Sequence, residues 1–284
     1  MSKICALVNP HSGSVPEDGA AELRNALEEM GHEAEIIEIE IDQLVDQIKK
    51  AIADAPDILI VWSGDGTIAC AFEHAGPDGP LILPLPGGTM NLFHKQIHGG
   101  VCEWQECLER ALGSGKEIDV PAGKAGERTF YVAAMVGNLT DLTGPREAIR
   151  KGHLLEALET LSGSDVLDLR TNMTFDVEKS DGKSVHGFAT AVSVFVGTQQ
   201  DEMLEFAYID PDNPLELAAA GFGALFDDWR NATGVTSEHI RSGKLEHERG
   251  LDLRVTLDGE PVRLTSGTRF TRIAKAGRAL SANL

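Results

Sequence analysis

Two short apolar runs, each ended by a glycine-rich loop, are the clearest feature of the hydrophobic pattern. Residues 58–62 stop at Ser63-Gly64-Asp65-Gly66-Thr67, and residues 81–85 stop at Pro86-Gly87-Gly88-Thr89. Such runs between turn signals are typical of buried strands, and residues 68–75 between them have a helical pattern. Glycine lets a ligand approach the backbone closely, and the N–H groups at the start of a helix attract anions. The pattern therefore predicts two strand–loop–helix units that together hold one phosphate-bearing ligand.

The first part of the chain alternates between strand and helix patterns. Strands are predicted at 4–8 and 33–39, and helices at 17–30, 42–53 and 101–112, in addition to the central stretch. This alternation favours a parallel sheet with helices on both faces. Ligands of such sheets lie outside the carboxyl ends of the strands, so the loop Asn9-Pro10-His11-Ser12-Gly13-Ser14 is expected beside the other two loops.

The pattern changes to a succession of strands near residue 118. The segments with strand patterns are 129–136, 166–177, 184–196, 204–209, 236–245, 251–257 and 261–266, and helices are predicted at 141–161 and 215–229. Runs of strands after a βα region predict a separate domain, here a mostly antiparallel β-sandwich. The Pro- and Gly-containing stretch 121–126 is the expected boundary.

The net charge excludes some classes of partner, and the cysteine spacing indicates the cellular compartment. The chain of 284 residues has a formal net charge of −20. This acidity argues against nucleic acid as a partner and against docking of the whole surface on anionic lipid. The four cysteines include no CxxC pair, which favours reduced cysteines in an intracellular protein. The N-terminus is too weakly apolar for a secretory signal, and no apolar run has the length of a membrane span.

An acidic residue inside a glycine loop invites two interpretations. Asp65 would repel bound phosphates unless it holds Mg²⁺ or a water of the metal's shell. Alternatively, Asp65 caps the helix that follows, which requires no ligand. Thr89 and Asn91 likewise either cap a helix or face a ligand. The loop that begins at Asn9 forms either a plain turn or a phosphate nest made of backbone amides and Ser12.

The stretch Leu257-Asp258-Gly259-Glu260-Pro261 predicts a hairpin turn. Asp-Gly between alternating apolar residues is the strongest short-range hairpin signal. On this interpretation Glu260 is a solvated strand residue without a chemical role.

His94 and His98 have the i, i+4 spacing of one helix face. Two such histidines can begin a metal site, but the sequence presents no evident third ligand and no HExxH motif. Both are therefore interpreted as helix-surface histidines.

Four motifs, in this order and spacing, resemble the diacylglycerol kinase catalytic family, which includes sphingosine kinases and bacterial soluble lipid kinases. Asn9-Pro10-x-Ser12-Gly13 resembles the family's first phosphate loop, and Gly64-Asp65-Gly66-Thr67 resembles the end of its G-G-D-G-T signature. Gly88-Thr89-Met90-Asn91, with Phe93, is similar to its G-T-x-N-D-F loop, and Asp258-Gly259-Glu260 is similar to its D-G-E motif. The resemblance covers nearly the whole chain.

The resemblance implies an ATP site, with Mg²⁺, in a cleft between an α/β domain and a β-rich domain. It implies a nucleotide-binding domain at residues 1–122, a lipid-substrate domain at 123–269, and a final segment, 270–284, that returns to the first domain. Asp65 would organise the magnesium and the phosphates, and Glu260 would be the general base on the lipid hydroxyl. The residues implied to surround the nucleotide are Asn9, Ser12, Gly13, Gly64, Gly66, Thr67, Gly88, Thr89 and Asn91.

Three positions depart from the family pattern. Ser63 replaces the first glycine of the signature, and Leu92 stands where the family usually has an aspartate. The family's D-D-G-L-L-D-like segment, which can bind a structural Mg²⁺, corresponds best to residues 200–205. Asp201 is retained there, whereas Glu202 replaces a glycine of the family segment. Asp201 therefore joins Asp65 as a candidate metal ligand.

The hypothesis is an ATP- and Mg²⁺-dependent kinase that transfers the γ-phosphoryl group to a hydroxyl of a diacylglycerol-like lipid, a step of phospholipid biosynthesis. An NAD kinase is the alternative enzyme, because it shares G-D-G-T and a two-domain plan. A non-catalytic nucleotide- or lipid-binding protein is the alternative from another class, motivated by Ser63 and Leu92. The expected location is the cytoplasm, with peripheral contact between the protein and the inner face of the membrane. A homodimer is compatible with this hypothesis.

Overall fold

The computed structural model describes residues 2–137, 173–197, 202–209 and 235–283. Within these ranges the contacts divide the chain into two units. Residues 2–122, 197 and 273–283 form the first unit, and residues 123–137, 173–196, 202–209 and 235–272 form the second. The helices predicted at 141–161 and 215–229, and the candidate metal ligand Asp201, lie outside the described residues.

The first unit is built on a parallel sheet. Its strands include β1 (Ile4–Val8), β2 (Ala34–Glu38), β3 (Ile58–Ser63) and β4 (Leu81–Pro86). They lie in the order β4-β3-β1-β2, and the three pairings between them are parallel. β1 and nearly all of β3 and β4 are buried, as expected for a parallel sheet covered on both faces. The register sets Val8 opposite Trp62 and Trp62 opposite Leu85, so the three strands end together.

Helices follow these strands in the predicted order. They are α1 (Gly19–Glu29), α2 (Leu44–Ala53), α3 (Asp65–Ala75), α4 (Leu92–His98) and α5 (Trp104–Ser114), with a short 3-10 helix (Ile41–Gln43) before α2. Each helix buries an apolar stripe, as Leu23 and Leu27 of α1 illustrate at i, i+4 spacing. In the described part of the chain, none of the helices combines the length and the apolar character needed to cross a membrane.

The two histidines of α4 are buried, so their interpretation as helix-surface residues is wrong. His94 is 0% exposed and His98 is 1% exposed. Helical spacing identifies a shared face but does not show what covers it. Here Cys102, just before α5, lies against His94, and the backbone N–H of Ala282 donates to His98. Burial lowers the pKa of both histidines, that of His98 to about 4, so both rings are neutral at pH 7.

Two long strands are not predicted by the pattern of apolar runs in the sequence. They are β5 (Lys116–Ala125) and β15 (Thr268–Ser281). β5 contains most of the stretch 121–126, where composition favours a boundary loop. The end of β15 pairs in parallel with β4, with Ala279 opposite Ile82. Arg278 of β15 also donates from Nε to a carboxylate oxygen of Glu117 at 2.7 Å. The last part of β15 therefore extends the sheet of the first unit.

The second unit consists of antiparallel strands. They are β6 (Arg128–Phe130), β7 (Ala133–Gly137), β8 (Met173–Lys179), β9 (Ser184–Ala189), β10 (Ala191–Phe195), β11 (Leu204–Ile209), β12 (Val235–His247), β13 (Leu253–Leu257) and β14 (Glu260–Leu264), with the first part of β15. Their order is β14-β13-β7-β10-β11-β12, with β8 beside β12 and β9 beside β8. Three phenylalanines, Phe130, Phe206 and Phe270, are fully buried in the core of this unit. The prediction of a parallel α/β region followed by an antiparallel β-rich region is confirmed.

The predicted hairpin is also confirmed. β13 and β14 pair antiparallel with Leu257 opposite Glu260. Asp258 and Gly259 between them have φ of +48° and +94°. Positive φ at both central residues is the type I′ turn that matches the twist of the flanking strands.

Candidate active site

Three loops meet at the carboxyl edge of the parallel sheet. The N–H of Asn9 donates to the carbonyl of Trp62 at 3.0 Å, which joins the end of β1 to the end of β3. The N–H of Gly87 donates to the carbonyl of Ser63 at 3.0 Å, and the N–H of Ser14 donates to the carbonyl of Gly87 at 3.0 Å. The loops after β1, β3 and β4 are thus connected to one another through their main chains.

Glycine is required where these loops touch. A Cβ placed on Gly88 would lie 2.9 Å from the Cα of Gly64, and one placed on Gly87 would lie 2.8 Å from the Cα of Ser63. Cβ atoms essentially never approach backbone this closely, and a shift of either backbone would disturb both loops. On the loop after β1, a Cβ on Gly13 would lie 3.2 Å from the hydroxyl of Thr89.

The nine residues implied by resemblance to surround a nucleotide all lie on these three loops or in the first turn of α3. They are Asn9, Ser12 and Gly13 after β1, Gly64, Gly66 and Thr67 after β3, and Gly88, Thr89 and Asn91 after β4. The topology of the sheet therefore brings together residues from three separate parts of the sequence.

Gly66 differs from Gly87 and Gly88, which lie where the loops touch. Apart from its two chain neighbours and the backbone of its own helix, no atom of the described residues lies within 4 Å of a Cβ placed on it. It belongs to the first turn of α3, where N–H groups have no acceptor within the helix. Gly66 therefore presents open space beside donor groups that favour an anion.

Asp65 connects the second loop to the third. Its two carboxylate oxygens accept the backbone N–H groups of Leu92 at 3.1 Å and Phe93 at 2.8 Å. Asp65 thus caps the start of α4, a different helix from the one that Asp65 itself begins. Leu92, which replaces the family's aspartate, is the first residue of α4, and its backbone N–H is one of the two groups that donate to Asp65.

Asn91 and Asn9 hold the loops through their side chains. Asn91 Oδ1 accepts the N–H of Gly88 at 2.8 Å, and Asn91 has a left-handed φ of +48°. Asn9 Nδ2 donates to the hydroxyl of Ser63 at 3.2 Å, and Asn9 Oδ1 accepts the N–H of His11 at 3.1 Å. Ser63 is fully buried, so the serine that departs from the family signature supports the first loop.

In the second unit, Asp258 makes contacts that the hairpin pattern does not reveal. Its carboxylate accepts three backbone N–H groups, from Tyr131 at 2.6 Å, Val132 at 2.8 Å and Ala133 at 3.0 Å. The N–H of Asp258 also donates to the carbonyl of Ala133 at 2.9 Å. Asp258 therefore holds the turn of the β13–β14 hairpin against the connection between β6 and β7, and Glu260 lies exposed directly after this turn.

Comparison with known proteins identifies the first unit. Residues 3–122 match the diacylglycerol kinase catalytic domain. The matched segment contains all three loops, so the resemblance of the loop motifs to this family is confirmed. The match supports a lipid kinase at the level of the family.

Solved structures of similar fold cover nearly the whole chain. One is a diacylglycerol kinase from Bacillus anthracis strain Sterne, 16% identical, with a TM-score of 0.66 over 97% of this chain and 96% of that one. Another, provisionally assigned as a diacylglycerol kinase from the same strain, is 18% identical with a TM-score of 0.70 over the same shares. At these identities the likeness concerns the fold, and it extends beyond the diacylglycerol kinase catalytic domain into the antiparallel unit.

Proposed function

We propose that this chain is an ATP- and Mg²⁺-dependent lipid kinase that phosphorylates a hydroxyl of a diacylglycerol-like lipid. The observation that carries the proposal is the meeting of three loops of the matched domain at the carboxyl edge of the sheet, where the first turn of α3 is open at Gly66. Phosphoryl transfer depends mainly on positioning and on neutralising charge. Loops built from glycine, hydroxyl and amide groups at the start of a helix supply both the positioning and the neutralisation of charge.

The nucleotide would be held by the first unit, proposed to include residues 1–122 and 270–284. N–H groups of the first turn of α3, beginning at Asp65, would donate to the phosphates, and the loops containing Ser12 and Thr89 would surround them. Asp65 lies where the second loop meets the third, and its carboxylate would act as ligand to the metal or to its water. Mg²⁺, when bound, neutralises the charge on the transferring phosphoryl group.

The acceptor would be held by the second unit, proposed to be the lipid-substrate domain of residues 123–269. Glu260 would take the proton of the lipid hydroxyl as its oxygen forms a bond to the γ-phosphorus and the bond to the β-phosphate oxygen breaks, releasing ADP. Its exposure after the hairpin leaves the carboxylate accessible to a substrate. The protein would work at the inner face of the membrane, where a diacylglycerol-like acceptor resides.

The proposal is tested by transfer of label from γ-labelled ATP, with Mg²⁺, into a total lipid extract. We expect one labelled lipid class from the wild type, none after chelation of Mg²⁺, and none from Asp65→Ala. Labelling of NAD in a parallel reaction, with unlabelled lipids, would assign the activity to an NAD kinase instead. ATP binding without transfer to any acceptor would support a non-catalytic binding protein.

The glycines of the loops give a prediction that separates folding from nucleotide binding. In Gly66→Ala the new methyl meets no described atom, so we expect the free energy of unfolding to stay constant or rise by up to ~1 kcal/mol from improved helix propensity. We expect ATP affinity to fall by roughly tenfold or more, about 1.4 kcal/mol, because the methyl enters the space proposed for phosphate. Chemical denaturation and calorimetric titration with ATP measure the two quantities.

Two further alanine substitutions make that result interpretable. Gly88→Ala is expected to lower both ATP affinity and stability, the latter by about 1–3 kcal/mol, because its methyl meets the backbone of Gly64. Gly113→Ala in α5 is the matched control, since a methyl there also meets no described atom but lies outside the three loops. Wild-type ATP affinity in Gly66→Ala would contradict the proposed position of the nucleotide.

A further inference from the structure

A compact group of buried histidine and cysteine side chains lies between α4 and the start of α5. It consists of His94 and His98 of α4, Cys107 of α5, and Cys102 from the segment that precedes α5. The ligand atoms of His94, His98 and Cys107 all lie within 4.8 Å of one another, and these residues are buried. The kinase chemistry proposed above uses none of these four side chains.

The hydrogen bonds of His98 fix its tautomer. The backbone N–H of Ala282 donates to His98 Nδ1 at 2.9 Å, so Nδ1 carries no proton in the neutral ring. His98 Nε2 therefore bears the proton and donates it to the carbonyl of Pro84 at 2.8 Å. Both nitrogens are engaged by the backbone, so His98 supports the cluster and is not itself placed to bind an ion.

His94 differs because only one of its nitrogens is engaged by the backbone. Its Nδ1 lies 3.2 Å from the same carbonyl of Pro84, which can only accept, so Nδ1 carries the proton. Nε2 therefore has an available lone pair, and it lies 3.7 Å from Cys102 Sγ. A ring that donates one N–H to a backbone carbonyl while the other nitrogen faces a thiol is the arrangement that metal-binding histidines adopt.

The two thiols complete a set of soft ligands. Cys102 and Cys107 interact through a side-chain hydrogen bond, so their sulfur atoms are neighbours. In a tetrahedral zinc site with bonds of ~2.0–2.1 Å to nitrogen and ~2.3 Å to sulfur, adjacent nitrogen and sulfur ligands lie roughly 3.6 Å apart. The observed distance of 3.7 Å between His94 Nε2 and Cys102 Sγ matches that separation.

We propose that His94 Nε2, Cys102 Sγ and Cys107 Sγ bind a Zn²⁺ ion, with a water molecule as the fourth ligand. Binding releases one proton from each thiol, so the ion and two thiolates together are neutral, as a buried site between apolar helices requires. Cys102 is only partly buried, which provides a path for the ion and space for the water. His98 and the carbonyl of Pro84 act as outer groups that orient His94.

The ion would stabilise the position of α4. This helix begins at the Gly88–Asn91 loop, and its start is capped by Asp65. Zinc would join the first turn of α4, through His94, to the first turn of α5, through Cys107. The proposal stands on the cluster itself and does not depend on the kinase activity.

The first test uses the wild-type protein and needs no substitution. The protein is treated with a chelator, divided, and alkylated with iodoacetamide in the presence or absence of one equivalent of Zn²⁺, and each cysteine is followed by mass spectrometry. We expect zinc to slow alkylation of Cys102, the partly exposed thiol of the cluster, by roughly tenfold or more, because a metal-bound thiolate is withheld from the reagent. Cys5 serves as the internal reference, since burial raises its pKa to about 11 irrespective of zinc.

The second test compares two cysteine substitutions by metal titration. Cys107→Ser is expected to lower zinc affinity by more than the roughly 100-fold that loss of an outer group causes, whereas Cys5→Ser, also buried but distant in sequence, keeps the wild-type affinity. Co²⁺ bound to the wild type should show sulfur-to-cobalt charge-transfer absorption that Cys107→Ser reduces. Equal alkylation with and without zinc, or wild-type zinc affinity in Cys107→Ser, would overturn the proposal. If Cys107→Ser does not fold, the alkylation of the wild type decides alone.

Discussion

Replacing Glu260 by glutamine is expected to lower phosphoryl transfer by about 10²–10⁴-fold while ATP affinity stays at the wild-type value. Glutamine keeps the size and hydrogen-bonding reach of glutamate but cannot take a proton from the lipid hydroxyl. Glu260 is exposed at the start of β14, so the substitution should change the free energy of unfolding by less than about 0.5 kcal/mol. The measurements are label transfer from ATP into lipid, calorimetric ATP binding and chemical denaturation.

A matched substitution separates the proposed base from a general effect of lost charge. Glu248 is also an exposed glutamate beside a turn of the second unit, and Glu248→Gln removes the same charge. We expect Glu248→Gln to transfer phosphate at a rate close to that of the wild type. Full activity in Glu260→Gln would exclude Glu260 as the base, and equal losses in both variants would attribute the effect to surface charge.

The parts of the fold that the sequence predicts correctly depend on local patterns and one rule of topology. Apolar runs of five residues ended by glycine loops identify β3 and β4, and the alternation with helices predicts that they are parallel. Parallel strands present their carboxyl ends at one edge, so the loops after β1, β3 and β4 had to lie together. The structure confirms the meeting of these loops, and their roles toward a nucleotide stay predictions.

The features that the sequence does not predict depend on contacts between distant parts of the chain. Nothing within α4 distinguishes a buried His94 from an exposed one, because the covering residues follow the helix in sequence or belong to the end of the chain. β5 contains proline and glycine, which favour a loop on composition, yet its pairing partners make it a strand. Its partner β15 lies more than a hundred residues later, beyond the range of any periodic pattern.

Asp65 and Asp258 share a structural role that their motifs alone do not indicate. Each carboxylate accepts backbone N–H groups from another segment: Asp65 from the start of α4, and Asp258 from the connection between β6 and β7. The acidic residues of two separate motifs thus fix the geometry of neighbouring backbone. Substituting either aspartate therefore disturbs the nearby backbone. A loss of activity in such a variant combines this structural effect with any direct effect on the chemistry.

Replacing Asp258 by alanine is expected to lower the free energy of unfolding by about 3–5 kcal/mol. The substitution removes the acceptor of three backbone N–H groups, from Tyr131, Val132 and Ala133, of which Tyr131 is buried. It also leaves alanine at a φ of +48°, which aspartate and asparagine tolerate better. Chemical denaturation followed by circular dichroism measures the loss.

Two variants decide whether this loss comes from the hydrogen bonds. Asp258→Asn keeps one acceptor oxygen and the tolerance for left-handed backbone, so we expect a loss between those of the wild type and Asp258→Ala. Asp252→Ala is the matched control, because Asp252 is exposed just before β13, and its removal should change stability by less than about 0.5 kcal/mol. If Asp258→Ala were as stable as Asp252→Ala, the carboxylate would not be what holds the hairpin. A large loss in Asp258→Ala with a smaller one in Asp258→Asn would make Asp258 the positioning residue for Glu260, whose carboxylate follows the same turn.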